Sequence, residues 1–186
     1  MSAAPAGSSG KRRPLVIGVL SDTHGHLYPQ VKERFQGVDH IIHAGDVGSA
    51  RVLAELKAIA PVTAVRGNCD LEAWAQDLPT EAEVELDGIR ILVGHIASRL
   101  RERLDRATRV AGRGFRVVIT GHTHRVESEE RDGVLHLNPG SAGPERFGHP
   151  RTLARLLLTP SPQGQEDDPG GVSTRVEVAI SIIPGG

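Results

Sequence analysis

Cysteine, aromatic residues and long apolar runs are what this sequence has least of. One cysteine, Cys69, stands in 186 residues. An internal disulfide is therefore impossible, and an oxidising compartment gains no support. Aromatics make up 3% of the chain against 38% for all hydrophobic residues, so a core has to be built from Val, Ile, Leu and Ala. No run approaches the ~18 apolar residues that cross a bilayer. An excess of one charge is missing too. The 22 Lys and Arg against 23 Asp and Glu give no general attraction to nucleic acid or an anionic membrane. Residues 1–13 are mostly Ala, Ser, Gly and Pro, ending in Lys11-Arg12-Arg13. With the basic residues after the small ones and no apolar centre, they do not read as a signal peptide. The expectation is a disordered extension over 1–13 and one domain over 14–186, in a soluble cytoplasmic protein.

The remainder of the chain alternates apolar runs with polar, glycine-containing loops. Leu15 to Leu20 has no polar face and suits a strand buried on both sides. A helix over Leu27 to Gln36 and a strand over Val38 to His43 follow. Ser49 is placed to cap a helix running to Ala60, where Val52, Leu53, Leu56 and Ile59 keep the helical period. Pro61 ends it, and Val62 to Val65 is the third strand. Strand–helix–strand–helix–strand predicts a parallel sheet with crossover helices, whose sites lie beyond the carboxyl ends of the strands. In the second half Ala82 to Leu86 alternates, Asp87-Gly88 is a hairpin turn, and Ile89 to Val93 is the partner strand. A helix over Ser98 to Ala111 and a buried strand over Phe115 to Thr120 come next. Short strands are expected around Val126, over Val134 to Leu137, Thr152 to Leu158 and Arg175 to Ile183, with a solvated loop over Pro160 to Gly171.

Metal-ligating side chains stand at the ends of these strands: Asp22 and His24, then Asp46, Asn68, His95, and finally His122 and His124. On an extended backbone the two histidines of Gly121-His122-Thr123-His124, at i and i+2, would lie on one side and reach one point. Carboxylate, imidazole and one amide carbonyl together suit Mn, Fe, Zn or Ni better than Mg or Ca. Each residue alone has an ordinary reading, such as a helix cap for Asp22 or Asp46, a turn for Asn68 or a core histidine for His95. The whole set in one order does not. His26, His40, His43, His136 and His149 keep ordinary roles, although His26 and His43 lie close enough in sequence to support ligands. Arg146 reads as a solvated surface arginine.

Asp-x-His, Gly-Asp, Gly-Asn-Cys-Asp, Gly-His and Gly-His-Thr-His, in this order over roughly Val16 to Leu158, resemble the calcineurin-like metallophosphoesterase superfamily. Within it they are similar to the small prokaryotic YfcE-like phosphodiesterases, and Asn138-Pro139-Gly140-Ser141 resembles a loop of that group. The resemblance implies an α/β fold, an α-β-β-α sandwich of two packed mixed β-sheets flanked by helices. It implies two divalent ions, foremost Mn2+, with Ni2+, Fe2+ and Zn2+ as others the set accepts. Asp22, His24 and His124 would hold one ion, Asn68, His95 and His122 the other, and Asp46 would bridge them. The implied reaction is in-line attack on a phosphodiester by a hydroxide held between ions ~3.5–4 Å apart, with Asp46, Asn68 and His95 as the catalytic core. The chain departs from many relatives at Cys69, where they carry a histidine near the leaving group. A thiol donates weakly, which favours diesters with good leaving groups, and the neighbouring Asp70 is a candidate helper. The expected partner is a small or nucleotide-type phosphodiester, with a homo-oligomer as a further expectation. A phosphomonoesterase of this fold and a non-catalytic scaffold are the alternatives. The complete ligand set favours an enzyme.

Overall fold

Strand β1 (Leu15–Leu20) is buried over its last four residues, as an apolar run without a polar face requires. In the computed structural model, which describes residues 13–108, 114–146, 148–160 and 174–184, β1 is the centre of the first of two sheets. Helix α1 (Pro29–Arg34) leads to β2 (His40–His43), and helix α2 (Ala50–Lys57) leads to β3 (Val62–Ala64). Both strand pairs are parallel. Two long C-terminal strands, β9 (Arg151–Pro160) and β10 (Thr174–Ile183), extend the sheet antiparallel on the other side, giving the order β10-β9-β1-β2-β3. The second sheet pairs β4 (Glu81–Leu86) with β5 (Ile89–Gly94), continues to β6 (Val117–Ile119), and closes with the hairpin of β7 (Val126–Arg131) and β8 (Val134–Pro139). Its order is β4-β5-β6-β8-β7, parallel in the middle and antiparallel at both edges. Helix α3 (Ala97–Thr108) joins β5 to the loop before β6.

The core lies between the sheets and is aliphatic throughout, with Ile17, Val19, Ile42, Ile91, Val93, Ile119, Leu137 and Leu156 among its buried members. On the outer face of the first sheet, Val31 and Phe35 from α1 and Val52, Leu53 and Leu56 from α2 form a second cluster. Leu100 of α3 packs with Leu92, Phe115 and Val118 on the outer face of the second. Two mixed sheets with helices outside are the architecture expected from the sequence. No helix among the described residues is long and apolar enough to cross a membrane.

Boundaries differ where local chemistry outweighs periodicity. Helix α1 begins only at Pro29, since proline is tolerated in a first turn and not further inside. Ser49 caps α2 as expected, its side chain accepting a hydrogen bond from Arg51 N at 3.2 Å. The largest difference is β7, six exposed residues where only a short strand around Val126 was expected. Its Glu127, Glu129, Glu130 and Arg131 hide the strand period, as charged edge strands do. Asp132 and Gly133, at φ 52° and 74°, make the turn into β8. Of the expected extension only Arg13 is described, and its guanidinium forks onto Asp39. The C-terminal end of the Ser98 to Ala111 helix and nearly all of the Pro160 to Gly171 loop lie outside the described residues.

Candidate metal centre

Every parallel strand of both sheets delivers its C-terminal loop to one end of the sandwich, and there the expected ligands meet. The loops after β1 and β2 are laced together by backbone bonds from Asp22 N to Gly45 O (3.0 Å), His24 N to Asp46 O (3.0 Å) and Gly25 N to Val47 O (2.8 Å). Asp22, His24, Asp46, His122 and His124 all have positive φ, between 45° and 71°. Among the described residues, the other non-glycine residues in that region are Asp87 and Asp132, each in an Asp-Gly hairpin turn. Left-handed backbone at such residues costs of order 1 kcal/mol each and persists where surrounding structure enforces it.

This backbone corrects one expectation. The segment after β6 is not extended, so His122 and His124 diverge instead of sharing a side. His124 is buried, with Nε2 at 3.2 Å from Asp22 Oδ1 and 3.4 Å from His24 Nε2. The His122 ring lies 5.2 Å from that of His95. His95 Nε2 in turn stands 3.3 Å from Asp46 Oδ2, 3.1 Å from Asn68 Oδ1 and 4.0 Å from Asp22 Oδ1. All seven expected residues therefore converge. Ligand-type atoms of Asp22, His24 and His124 lie within 4.8 Å of one another, as do those of Asp22, Asp46 and His95.

Neighbouring groups leave the donor atoms facing the centre. Nδ1 of His95 donates to Ala44 O at 2.8 Å, which turns Nε2 inward and fixes the tautomer a metal needs. Burial opposes charge on Asp46, but the hydrogen bonds from His95 and from Cys69 N outweigh it and hold the carboxyl well below its ordinary range. Burial likewise opposes the His95 imidazolium, and the Asp46 and Asp22 carboxylates overcome it. For His24 burial prevails and lowers the pKa. Asp22 Oδ2 accepts from His122 N at 3.1 Å, while its Oδ1 is buried without a hydrogen-bond partner. An orphaned carboxylate oxygen facing two imidazoles suits a cation between them. Nor does Gly67 leave room for a side chain there, since a Cβ would lie 2.0 Å from Asp46 Oδ1.

Several residues support the centre through contacts that the sequence reading did not specify. Asp70, a candidate helper of the leaving group from its position in the sequence, serves here as a backbone clamp. It is buried, and its two oxygens accept backbone N–H groups of Val47 (3.1 Å), Gly48 (2.7 Å) and Gly67 (2.8 Å). Asn138 donates to Gly121 O (2.7 Å) and Thr123 Oγ1 (3.1 Å), pinning the histidine loop. The buried Ser141 donates to Asp22 O (3.1 Å). His43 lies behind the centre against Thr23 Oγ1 (2.9 Å), and burial drives its pKa down to about 4. Cys69 is exposed, its Sγ grouped with His24 and Asp46 and accepting from Asn68 Nδ2 at 3.3 Å. His26, His40 and His136 bring no atom into these ligand groups.

Comparison with known proteins agrees with the geometry. The model of the calcineurin-like phosphoesterase superfamily domain matches residues 15–160. A probable metallophosphoesterase of Methanothermobacter thermautotrophicus is 35% identical over 147 residues, covering 75% of this chain and 84% of that protein. A phosphodiesterase of Methanocaldococcus jannaschii is 34% identical over 143 residues, 67% of this chain and 82% of its own. Among solved structures, a novel archaeal phosphodiesterase superposes with a TM-score of 0.62 at 29% identity, over 89% of this chain and all (100%) of that one.

Proposed function

Since the chain belongs to the calcineurin-like phosphoesterase superfamily, a family of metal-dependent phosphoester hydrolases, we propose that it hydrolyses phosphodiesters at a centre of two divalent ions. The observation that carries this is the convergence of Asp22, His24 and His124 on one side and Asp46, Asn68, His95 and His122 on the other. In this reading Asp22, His24 and His124 would hold one ion and Asn68, His95 and His122 the second, with Asp46 a ligand available to each. Mn2+ is the first choice, because nitrogen and oxygen donors are mixed and no thiolate is required. Ions held there would supply Lewis-acid charge to phosphoryl oxygens and lower the pKa of water toward neutral.

The chain's own groups then have distinct tasks. Asp46 stays ionised, holding negative charge at the middle of the centre. His95 is held in place by Ala44 O. Asn68 Nδ2 remains a donor, and Cys69 lines the side on which it points. A thiol donates too weakly to assist a poor leaving group, which supports diesters with acidic leaving groups over broad monoesterase action.

The test compares bis(p-nitrophenyl) phosphate with p-nitrophenyl phosphate on protein stripped of metal and reloaded with Mn2+. The diester should be the faster substrate, with activity lost on chelation and restored by the ion. A faster monoester would replace this reading with a monoesterase, and metal binding without hydrolysis of either would make the chain a scaffold. A second prediction concerns Cys69→His, which places a stronger donor beside Asn68. The ratio of monoester to diester hydrolysis should rise by about tenfold, below the 10²–10⁴-fold of a fully positioned acid–base group because the new imidazole is not held by a partner. An unchanged ratio would remove position 69 from leaving-group selection.

A further inference from the structure

The loop between β8 and β9 carries chemistry that the metal centre leaves unused. Its base is fixed to the Asp22 loop, with Ala142 N donating to Ser21 O at 3.0 Å and Thr152 N to Ser141 O at 2.8 Å. Farther out, Arg146 and His149 form an antiparallel bridge, and Gly148 turns the chain at φ 72°. Arg146 is exposed and meets no hydrogen-bonding or ion-pairing partner among the described residues. Its positive charge is nevertheless felt at both His24 and Cys69. It is an uncompensated cation at the rim of the centre.

Behind it stands a second arginine in a more unusual state. Arg151 is 7% exposed, and its guanidinium lies 4.0 Å over the Tyr28 ring. Nη2 is 3.5 Å from Glu145 Oε1, while Nε and Nη1 are buried without a partner. A guanidinium cannot shed its charge, and buried N–H groups left unpaired are costly. Arg146, His149 and Arg151 line one cleft that is closed to a water molecule as it stands, and Glu145 is the one acidic side chain in its lining. Of the expected metal ligands only His124 borders it, so an anion admitted there by movement of Glu145 would sit next to the His124 side of the centre.

We propose that Arg146 and Arg151 form a subsite for a second phosphate group of the substrate, which takes the place of the Glu145 carboxylate. Two guanidiniums and the His149 imidazole match a group with three oxygens and up to two charges better than they match a carboxylate. The inference rests on the diesterase reading and adds the substrate class: diesters in which one esterifying group is itself phosphorylated. Arg146 supplies the accessible contact. Arg151 draws Glu145 away from Arg146 and is the deeper donor once that carboxylate is displaced.

The test uses the Mn-loaded full chain and the p-nitrophenyl ester of thymidine 5′-phosphate, with and without a 3′-phosphate. Both esters share the reacting phosphorus and the leaving group. The 3′-phosphorylated ester should show a KM lower by about tenfold, the scale of one charge-assisted hydrogen bond in a partly solvated site. Arg146→Ala should abolish that difference through KM, Arg146→Lys should retain part of it, and Glu145→Gln should widen it. Equal losses on both esters would place Arg146 on the reacting phosphate and overturn the proposal, as would a wild-type protein that does not distinguish them. Calorimetric binding of thymidine 3′,5′-bisphosphate against thymidine 5′-phosphate separates the two readings. If neither ester is hydrolysed, the diesterase reading fails. Tighter binding of the bisphosphate that disappears in Arg146→Ala would then still uphold the subsite, and equal binding would overturn it.

Discussion

Asp46→Ala is expected to bind fewer than two metal ions per chain and to lose diesterase activity by about 10³-fold or more, since even one lost electrostatic contact at a reacting centre costs 10²–10³-fold. The reason lies in the position of the carboxylate. Its Oδ2 is 3.3 Å from His95 Nε2 and its Oδ1 accepts Cys69 N at 2.8 Å. Removing it takes a ligand from both proposed ions and releases the Asn68–Cys69 turn. Elemental analysis after dialysis, with bis(p-nitrophenyl) phosphate turnover on the same sample, checks both parts. Asp46→Asn separates shape from charge, because its amide oxygen can still accept the Cys69 N–H. Full activity in Asp46→Ala would sink the two-ion assignment.

Asp70→Ala should lower stability by about 3 kcal/mol, the scale expected when a buried charged acceptor is removed and its donors are only partly rescued by water. Three amides lose their acceptor at once, from Val47, Gly48 and Gly67. These belong to the loops after β2 and β3, which carry Asp46 and Asn68. For a chain of 186 residues the melting temperature would fall by roughly 6–12 °C. Thermal and urea unfolding of the metal-free protein measure this without the reaction. An acid acting only on a leaving group would leave stability unchanged, so an unaltered unfolding midpoint would contradict the clamp. Asp70→Asn should fall between, since its amide oxygen still accepts while its NH2 opposes the other donors.

The two carboxylates show why part of the centre was legible and part was not. Asp46 follows an apolar run and a glycine, so its place at a strand end follows from local pattern alone. Asp70 has the same residue type and neighbourhood in the chain. Its function is set by loop amides at positions 47 and 48, 23 and 22 residues away. Arg151 went unremarked just before the strand expected over Thr152 to Leu158, because its Tyr28 partner lies in another part of the chain. Charge hid β7 in the same way: an edge strand with solvent on its side needs no apolar alternation.

By itself the sequence determined the strands and the ligand types at their ends, together with an aliphatic core and the absence of any disulfide. Those are local properties, governed by side-chain period and by glycine and proline at turns. The tertiary structure decided which ligands meet. His24 and His124, 100 residues apart, come within 3.4 Å, while His122, two residues away, turns to His95. That division depends on left-handed backbone at Asp22, His24, Asp46, His122 and His124. No propensity of Asp or His dictates such a conformation. It is imposed by the lacing between loops, which exists only once both sheets have packed.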